Sequence, residues 1–264
     1  MNDITALILT FNEAPNIERT LHALQWVDRV LIVDSFSNDE TGTIARATRP
    51  DVRIEQNPFQ SFAEQCNFGL TRIETPWVLS IDADYVLTPE LIAELRELEP
   101  PKEIGGYSAA FNYCVFGRRL RYTVYPPRAV LYRRELARYR DEGHGHRVTI
   151  KGAVRTLAGK IDHDDRKPLS RWIRSQDRYA IVEARHLLSS ARSALNPQDR
   201  LRKRIYFAPV GMFLYLLLGR GLIFNGWPGW YYVCQRTIAE MLLSLRLLTE
   251  REKLEEKDKV DSRK

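Results

Sequence analysis

Over its first 98 residues the chain alternates short apolar runs with helical patterns, and this alternation restricts the fold more than any other feature. Ile4–Leu9, Val30–Val33, Val52–Glu55 and Trp77–Ile81 read as strands. Pro15–Leu24, Thr41–Ala47 and Phe62–Ile73 read as the helices between them. Thr88-Pro89 opens a further helix, with Leu91, Ile92, Leu95 and Leu98 on its apolar face. Strands joined through helices by short loops imply a mostly parallel, Rossmann-like sheet with helices on both faces.

The pattern changes twice. From Gly105 to about Lys160 no long helix pattern occurs. Tyr107–Val115 and Ala129–Tyr132 look like strands, and Phe116–Arg119 resembles a hairpin turn, so this stretch reads as a mixed-sheet extension. From Leu169 the chain turns helical. Trp172–Leu188 is basic and amphipathic, Asn196-Pro197 restarts a helix as cap and first-turn residue, and beyond Glu250 the mixed charges predict a fraying tail. A length of 264 residues accommodates one α/β domain with an appendage. The expected organisation is a catalytic domain over 1–168, with halves 1–100 and 101–168, a helical region over 169–249 and a charged tail over 250–264.

Chemistry concentrates at the strand ends. Asp82-Ala83-Asp84 follows an apolar strand, and carboxylates at i and i+2 share a face while the backbone stays extended. Open α/β sheets bind ligands at the carboxyl ends of their strands. Paired hard oxygen ligands there suit Mg2+ or Mn2+ bridging a diphosphate. The first strand ends in Thr10-Phe11-Asn12-Glu13 before a helix N-terminus, a natural place for nucleotide contacts. The second ends in Asp34, which can accept a uracil N3–H or a ribose hydroxyl, while Asp39 reads more simply as a turn and capping residue.

Leu9-Thr10-Phe11-Asn12-Glu13, Ile32-Val33-Asp34-Ser35 and Asp82-Ala83-Asp84, in this order, resemble glycosyltransferase family 2. Gln65-Cys66-Asn67-Phe68 and Ile161–Trp172 add a resemblance to its lipopolysaccharide-core glucosyltransferase-like branch. The resemblance implies the GT-A fold and an inverting, metal-dependent transfer of a sugar, glucose in that branch, from a UDP-sugar. It makes Asp82 a ribose or metal contact, Asp84 the principal metal ligand and His163 the residue completing the metal site. It places the general base in Asp141–Arg147, at Glu142 or Asp141, with His144 and His146 beside the acceptor or ordering the loop. The family's basic residue on the Phe62–Leu70 segment is replaced by Cys66, which shifts that donor contact to Arg72 or to Gln65 and Asn67. Arg171-Trp172 matches part of the motif of processive members, but Pro168 occupies its first position, which argues for single-sugar addition.

The remaining features concern partners. Lys and Arg total 40 against 34 Asp and Glu, a mild basic excess that fits an anionic substrate or surface. Ile205–Leu218 is uncharged but short of the roughly 20 apolar residues of a spanning helix, and Pro209 and Gly211 interrupt it. Basic Arg200, Arg202, Lys203 and Arg204 precede it, and Phe224, Trp227, Trp230, Tyr231 and Tyr232 follow. That order predicts interfacial helices on an anionic membrane rather than a nucleic-acid surface. Packing on the catalytic core or against a second copy would use the same residues. An attached enzyme would use a lipid-linked or lipopolysaccharide-core acceptor. Three scattered cysteines, Cys66, Cys114 and Cys234, predict a reducing compartment and no zinc site, and the N-terminal residues lack a signal-peptide pattern. The expected location is therefore the cytoplasm, peripheral on the inner face of the cell membrane. Two alternatives stand beside the transferase. A nucleotidyltransferase would carry a Gly-rich basic loop where this chain has Thr10-Phe11-Asn12-Glu13. A catalytically silent, nucleotide-binding membrane scaffold would keep the pocket without the chemistry.

Overall fold

A computed structural model describes residues 3–142, 145–191, 193 and 195–261, with the side chains of 142, 145, 146 and 254–261 outside that description. The chain divides into two compact units, Met1–Lys167 and Pro168–Lys264.

The first unit starts with β1 (Ile4–Thr10), α1 (Ile17–His22), β2 (Arg29–Asp34), α2 (Thr41–Thr48), β3 (Arg53–Gln56), α3 (Phe62–Thr71) and β4 (Trp77–Asp82). It continues with β5 (Tyr85–Leu87), α4 (Pro89–Glu97), β6 (Ile104–Val115), β7 (Arg118–Arg119) and β8 (Arg128–Arg133), and ends with β9 (Ala137–Glu142), β10 (Gly145–Ile150) and β11 (Ala153–His163). The main sheet runs in the order β3-β2-β1-β4-β8-β6-β11-β5. Pairing is parallel from β3 through β4, antiparallel on both sides of β8, parallel between β6 and β11, and antiparallel at β5. The fold is GT-A.

Burial explains why the first strands were legible. Ile8, Ile32 and Leu79 pack with Leu21, Leu24 and Leu91 on one face. Leu7, Leu31 and Val78 pack with Cys66, Leu70 and Tyr132 on the other. Strands buried on both faces read as continuous apolar runs. Thr88 and Ser61 cap their helices through side-chain oxygens that accept from Leu91 N and Glu64 N. α1 is shorter than the Pro15–Leu24 pattern, and its N-cap Asn16 directs its side chain to Glu13 and Asp165 rather than to the helix.

The later strands were less legible. β9 and β10 form a separate hairpin, and β11 carries charges on an exposed face, so none shows a clean apolar alternation. The turn between β10 and β11 lies close against β6. A Cβ on Gly105 would stand 2.1 Å from the Lys151 carbonyl oxygen, so only glycine fits there.

The second unit is helical, with α5 (Leu169–Ser189), α6 (Pro197–Arg202), α7 (Phe207–Leu214) and α8 (Trp227–Asp261). Ala180, Ala184 and Leu187 of α5 pack with Leu243 and Leu247 of α8. Two polar ties reinforce this core. Arg246 binds Asp177 through two nitrogens at 2.7 and 2.6 Å. Arg202 binds the buried Glu240 at 2.7 Å. Asn196 caps α6 by accepting from Asp199 N, as its position before Pro197 predicts. α8 runs through Glu250 to Asp261, the stretch in which the mixed charges predict a fraying tail. Glu250 pairs with Lys253 one turn on and with Arg185 of α5, which ties this part of α8 to α5. Among the described residues no helix is long and apolar enough to cross a membrane.

Candidate active site

Strand register gathers the site. Thr10 lies beside Asp34 in the β1–β2 pair, and Leu9 lies beside Asp82 in the β1–β4 pair. The ends of three strands therefore share one edge, where the helix N-termini also point.

Asp34 is buried and organised by its neighbours. Its Oδ1 accepts from Thr10 Oγ1 at 2.7 Å and from Ser37 Oγ at 2.5 Å, and its Oδ2 accepts from Ser37 N at 2.9 Å. An ionised carboxylate accepts about four hydrogen bonds, so Oδ2 keeps one acceptor position for a ligand. Asp34 lines a cleft of about 430 Å3 together with Thr10, Ser37, Thr41, Ile54 and Gln56. Asp39 forms a turn just ahead of α2, accepting from Thr41 N two residues on and from Ala14 N. Asn12 adopts a left-handed φ of 56°. Its Oδ1 accepts from Asn38 N, and its own N–H donates to Ser37 Oγ, so it shapes the loop around the cleft.

The i, i+2 argument for Asp82 and Asp84 does not hold in the folded chain. β4 ends at Asp82 and the backbone turns through Ala83-Asp84. Asp82 stays half-buried, and its carboxylate makes no hydrogen bond or ion pair with any described residue. Asp84 is buried and carried to the end of β11, because β5 begins one residue later and pairs Tyr85 with His163. Asp84 Oδ2 then lies 3.4 Å from His163 Nε2. The imidazole is enclosed by Tyr85, Tyr113 and Tyr125, and its Nδ1 is buried without a hydrogen-bond partner among the described residues. Burial alone would raise the Asp84 carboxyl, but His163 and Lys167 outweigh it and hold the group well below the ordinary carboxylate range. Burial would lower the His163 imidazole, and Asp84 instead raises it.

These residues fit a divalent cation. The Asp84 carboxylate and the Nε2 edge of the His163 imidazole converge, and a second carboxylate stands two residues away at Asp82. No group of three such ligands is assembled among the described residues. Mg2+ and Mn2+ sites of this kind draw much of their coordination from water and substrate phosphates.

Asp164, Asp165, Arg166 and Lys167 join the site although no local pattern assigns them a role in it. Asp164 Oδ2 binds Arg19 at 2.7 Å and Arg166 at 2.9 Å, and its N–H donates to the Asp84 carbonyl oxygen. Lys167 Nζ lies 2.8 Å from Glu13 Oε1, so Glu13 faces a protein cation. The dense charges of Asp162–Lys167 were visible in the sequence, but nothing there showed which loops they meet.

Gln65 and Asn67 do not stand as free donor contacts. Gln65 is buried, donates to Ser35 Oγ and the Asn57 carbonyl, and accepts from Asn57 Nδ2. Asn67 clamps the backbone of β9, donating to Tyr139 O and accepting from Tyr139 N, both at 3.0 Å. The Tyr139 hydroxyl continues inward to Tyr132 and Ser80. Asn67 therefore anchors the strand that ends in Asp141 and Glu142. Asp141 is exposed, with Oδ1 3.4 Å from Ala63 N at the start of α3. His144 and the side chains of Glu142 and His146 lie outside the described residues.

Comparisons with known proteins agree with this architecture. An uncharacterized glycosyltransferase of Rickettsia bellii (strain RML369-C) is 38% identical over 94 residues, which cover 35% of this chain and 31% of that protein. The chain thus spans about a third of the length of the Rickettsia relatives it matches. The lipopolysaccharide core biosynthesis glycosyltransferase LpsC of Rhizobium meliloti (strain 1021) is 26% identical over 234 residues, covering 83% of this chain and 82% of that one. Among solved structures, the mannosyltransferase PcManGT from Pyrobaculum calidifontis, in complex with GDP-Man and Mn2+, shares the fold with a TM-score of 0.51 at 16% identity, over 93% of this chain and 87% of that one. The model of the family described as Glycosyl transferase family 2 matches residues 5–149, more than half of the sequence and all of the strand ends that carry Thr10, Asp34, Asp82 and Asp84. The chain belongs to glycosyl transferase family 2.

Proposed function

We propose that the protein is an inverting, metal-dependent transferase that moves a sugar, glucose as the first candidate, from a UDP-sugar to a lipid-linked or lipopolysaccharide-core acceptor. The observation that carries the reading is the convergence of Asp84 and His163, 3.4 Å apart, on the edge that also holds Asp34. The remaining acceptor position of Asp34 suits the N3–H of uracil, with Thr10 and Ser37 fixing the carboxylate. Asp84 and His163, with Asp82 beside them, would hold Mg2+ or Mn2+, which when bound stabilises negative charge on a departing diphosphate. Asp141 or Glu142 takes the proton from the acceptor hydroxyl. The acceptor oxygen forms its bond to the anomeric carbon as the bond to the diphosphate oxygen breaks, so UDP leaves with the electron pair and the configuration inverts. The relation to LpsC supports an acceptor of the lipopolysaccharide-core type.

A panel of nucleotide-sugars with Mn2+ tests the donor. A UDP-sugar at a hundred times its Kd should stabilise the folded protein by about 2.7 kcal/mol, read as a rise in melting temperature. Equal shifts with GDP- and UDP-sugars would remove the base assignment, and no shift with any of them would remove the donor site.

The second unit supports a membrane-bound acceptor at the cytoplasmic face. Tyr206, Phe207, Val210, Leu218 and Phe224 are each more than half exposed, and Trp227 is 50% exposed. Exposed Arg200 and Arg204 immediately precede this run. Apolar side chains bordered by cations fit an anionic bilayer interface. The protein should co-float with vesicles containing phosphatidylglycerol. Changing Phe207, Phe224 and Trp227 together to serine should cut that binding by about tenfold or more, each buried side chain contributing on the order of 1.5–3 kcal/mol at full insertion. Flotation that is unaffected would locate the acceptor contact elsewhere.

A further inference from the structure

Lys167 stands among carboxylates from three loops. Its Nζ lies 2.8 Å from Glu13 after β1, 3.9 Å from Asp84 after β4, and 3.6 Å from Asp165 after β11. The surrounding bonds hold these groups in place. Asn16 Nδ2 donates to both Glu13 Oε2 and Asp165 Oδ1, and Asn16 Oδ1 accepts from Arg166 N and Arg19 Nη2. Asp165 Oδ1 also accepts from the Lys167 N–H. The lysine side chain is only 17% exposed. Burial works against its charge, yet Asp84, Glu13 and Asp165 together keep the ammonium protonated well beyond the ordinary lysine range.

We propose that Lys167 is the resident counter-cation of the donor site, a positioning residue that holds Glu13, Asp84 and Asp165 together and competes with a divalent ion for Asp84. The inference rests on the reading of Asp84 as a metal ligand. The physics is Coulombic. Without Lys167 three carboxylates would face one another with little water between them, and each would gain from a divalent ion. With Lys167 present, an ion arriving at Asp84 meets a fixed positive charge. Lys167 therefore lowers the affinity for free metal and keeps the loops assembled before metal and donor arrive.

The test is Mn2+ titration of the full chain, followed by electron paramagnetic resonance of the free ion, beside melting curves with and without Mn2+. Lys167→Met should bind Mn2+ at least about tenfold more tightly than the wild type, because a like charge near the ligand has been removed. Its melting temperature should fall in chelator and recover with Mn2+ by more than the wild type gains. Lys167→Arg, which keeps the charge, should stay within about threefold of the wild type in Mn2+ affinity. Unchanged or weaker Mn2+ binding by folded Lys167→Met overturns the proposal. So does a variant that stays unfolded at saturating Mn2+, since the ion then fails to take the lysine's place. If the wild type binds no Mn2+ beyond what Asp84→Ala binds, the metal reading itself fails and the competition falls with it.

Discussion

Replacing Asp84 by alanine is expected to lower sugar transfer by about 10²- to 10³-fold, the scale observed when one group stabilising charge on a leaving or developing oxyanion is removed. Asp84 is the carboxylate that the β5–β11 pairing brings to His163, and no other described carboxylate lies within ion-pair distance of that ring. The change also leaves His163 Nε2 without its partner, so the folded state should lose about 1–3 kcal/mol, the cost of an unsatisfied buried polar group. Lys167 retains Glu13 and Asp165, which limits further loss. UDP-sugar hydrolysis with Mn2+ and the melting temperature, measured on the same preparation, separate the two effects. Activity within threefold of the wild type would end the assignment of Asp84 to the metal, whatever the stability does.

The second large effect concerns the base. Asp141→Asn and Glu142→Gln are close to isosteric, and removing a general base costs roughly 10²–10⁴ in rate. A single general base accounts for most of such a loss, so one substitution should produce nearly the whole effect and the other little. The Asp141 carboxylate is directed at the first turn of α3, where it lies 3.4 Å from Ala63 N. That contact engages Asp141 and makes Glu142→Gln the variant expected to lose activity. A large loss in Asp141→Asn alone reverses the assignment, and two mild variants place the base on another segment. Asn67→Ala is a useful companion, since it releases the backbone of Tyr139 and should reduce kcat while leaving UDP binding intact.

The early strands and their chemistry were legible for a physical reason. β1, β2 and β4 are buried on both faces, which leaves continuous apolar runs ending in Thr10, Asp34 and Asp82. Capping residues such as Thr88 and Asn196 act within one turn of their own helices, so local sequence suffices to place them. Side chains whose partners are distant were not legible. Asn67 reads as a donor contact, and the fold also ties it to the backbone of β9, 72 residues away. Glu13 looked like a nucleotide contact and meets Lys167, 154 residues along the chain. The charge mixture from Glu250 predicts a fraying tail, and only the fold shows Glu250 paired with Arg185, 65 residues away.

The sequence by itself determined the alternating α/β core, the line of polar residues at its strand ends and the apolar segment between Arg204 and Tyr232. These follow from periodicity and from residue types that act on near neighbours. Only the tertiary structure decided which carboxylates face which cations. Asp84 leaves the extended line of Asp82 through a backbone turn, and pairing between β5 and β11 then sets it against His163. Lys167 meets Asp84, 83 residues away in the chain, because three loops close on one sheet edge. Electrostatic contacts depend on distance in space, and no local pattern in the chain encodes that distance.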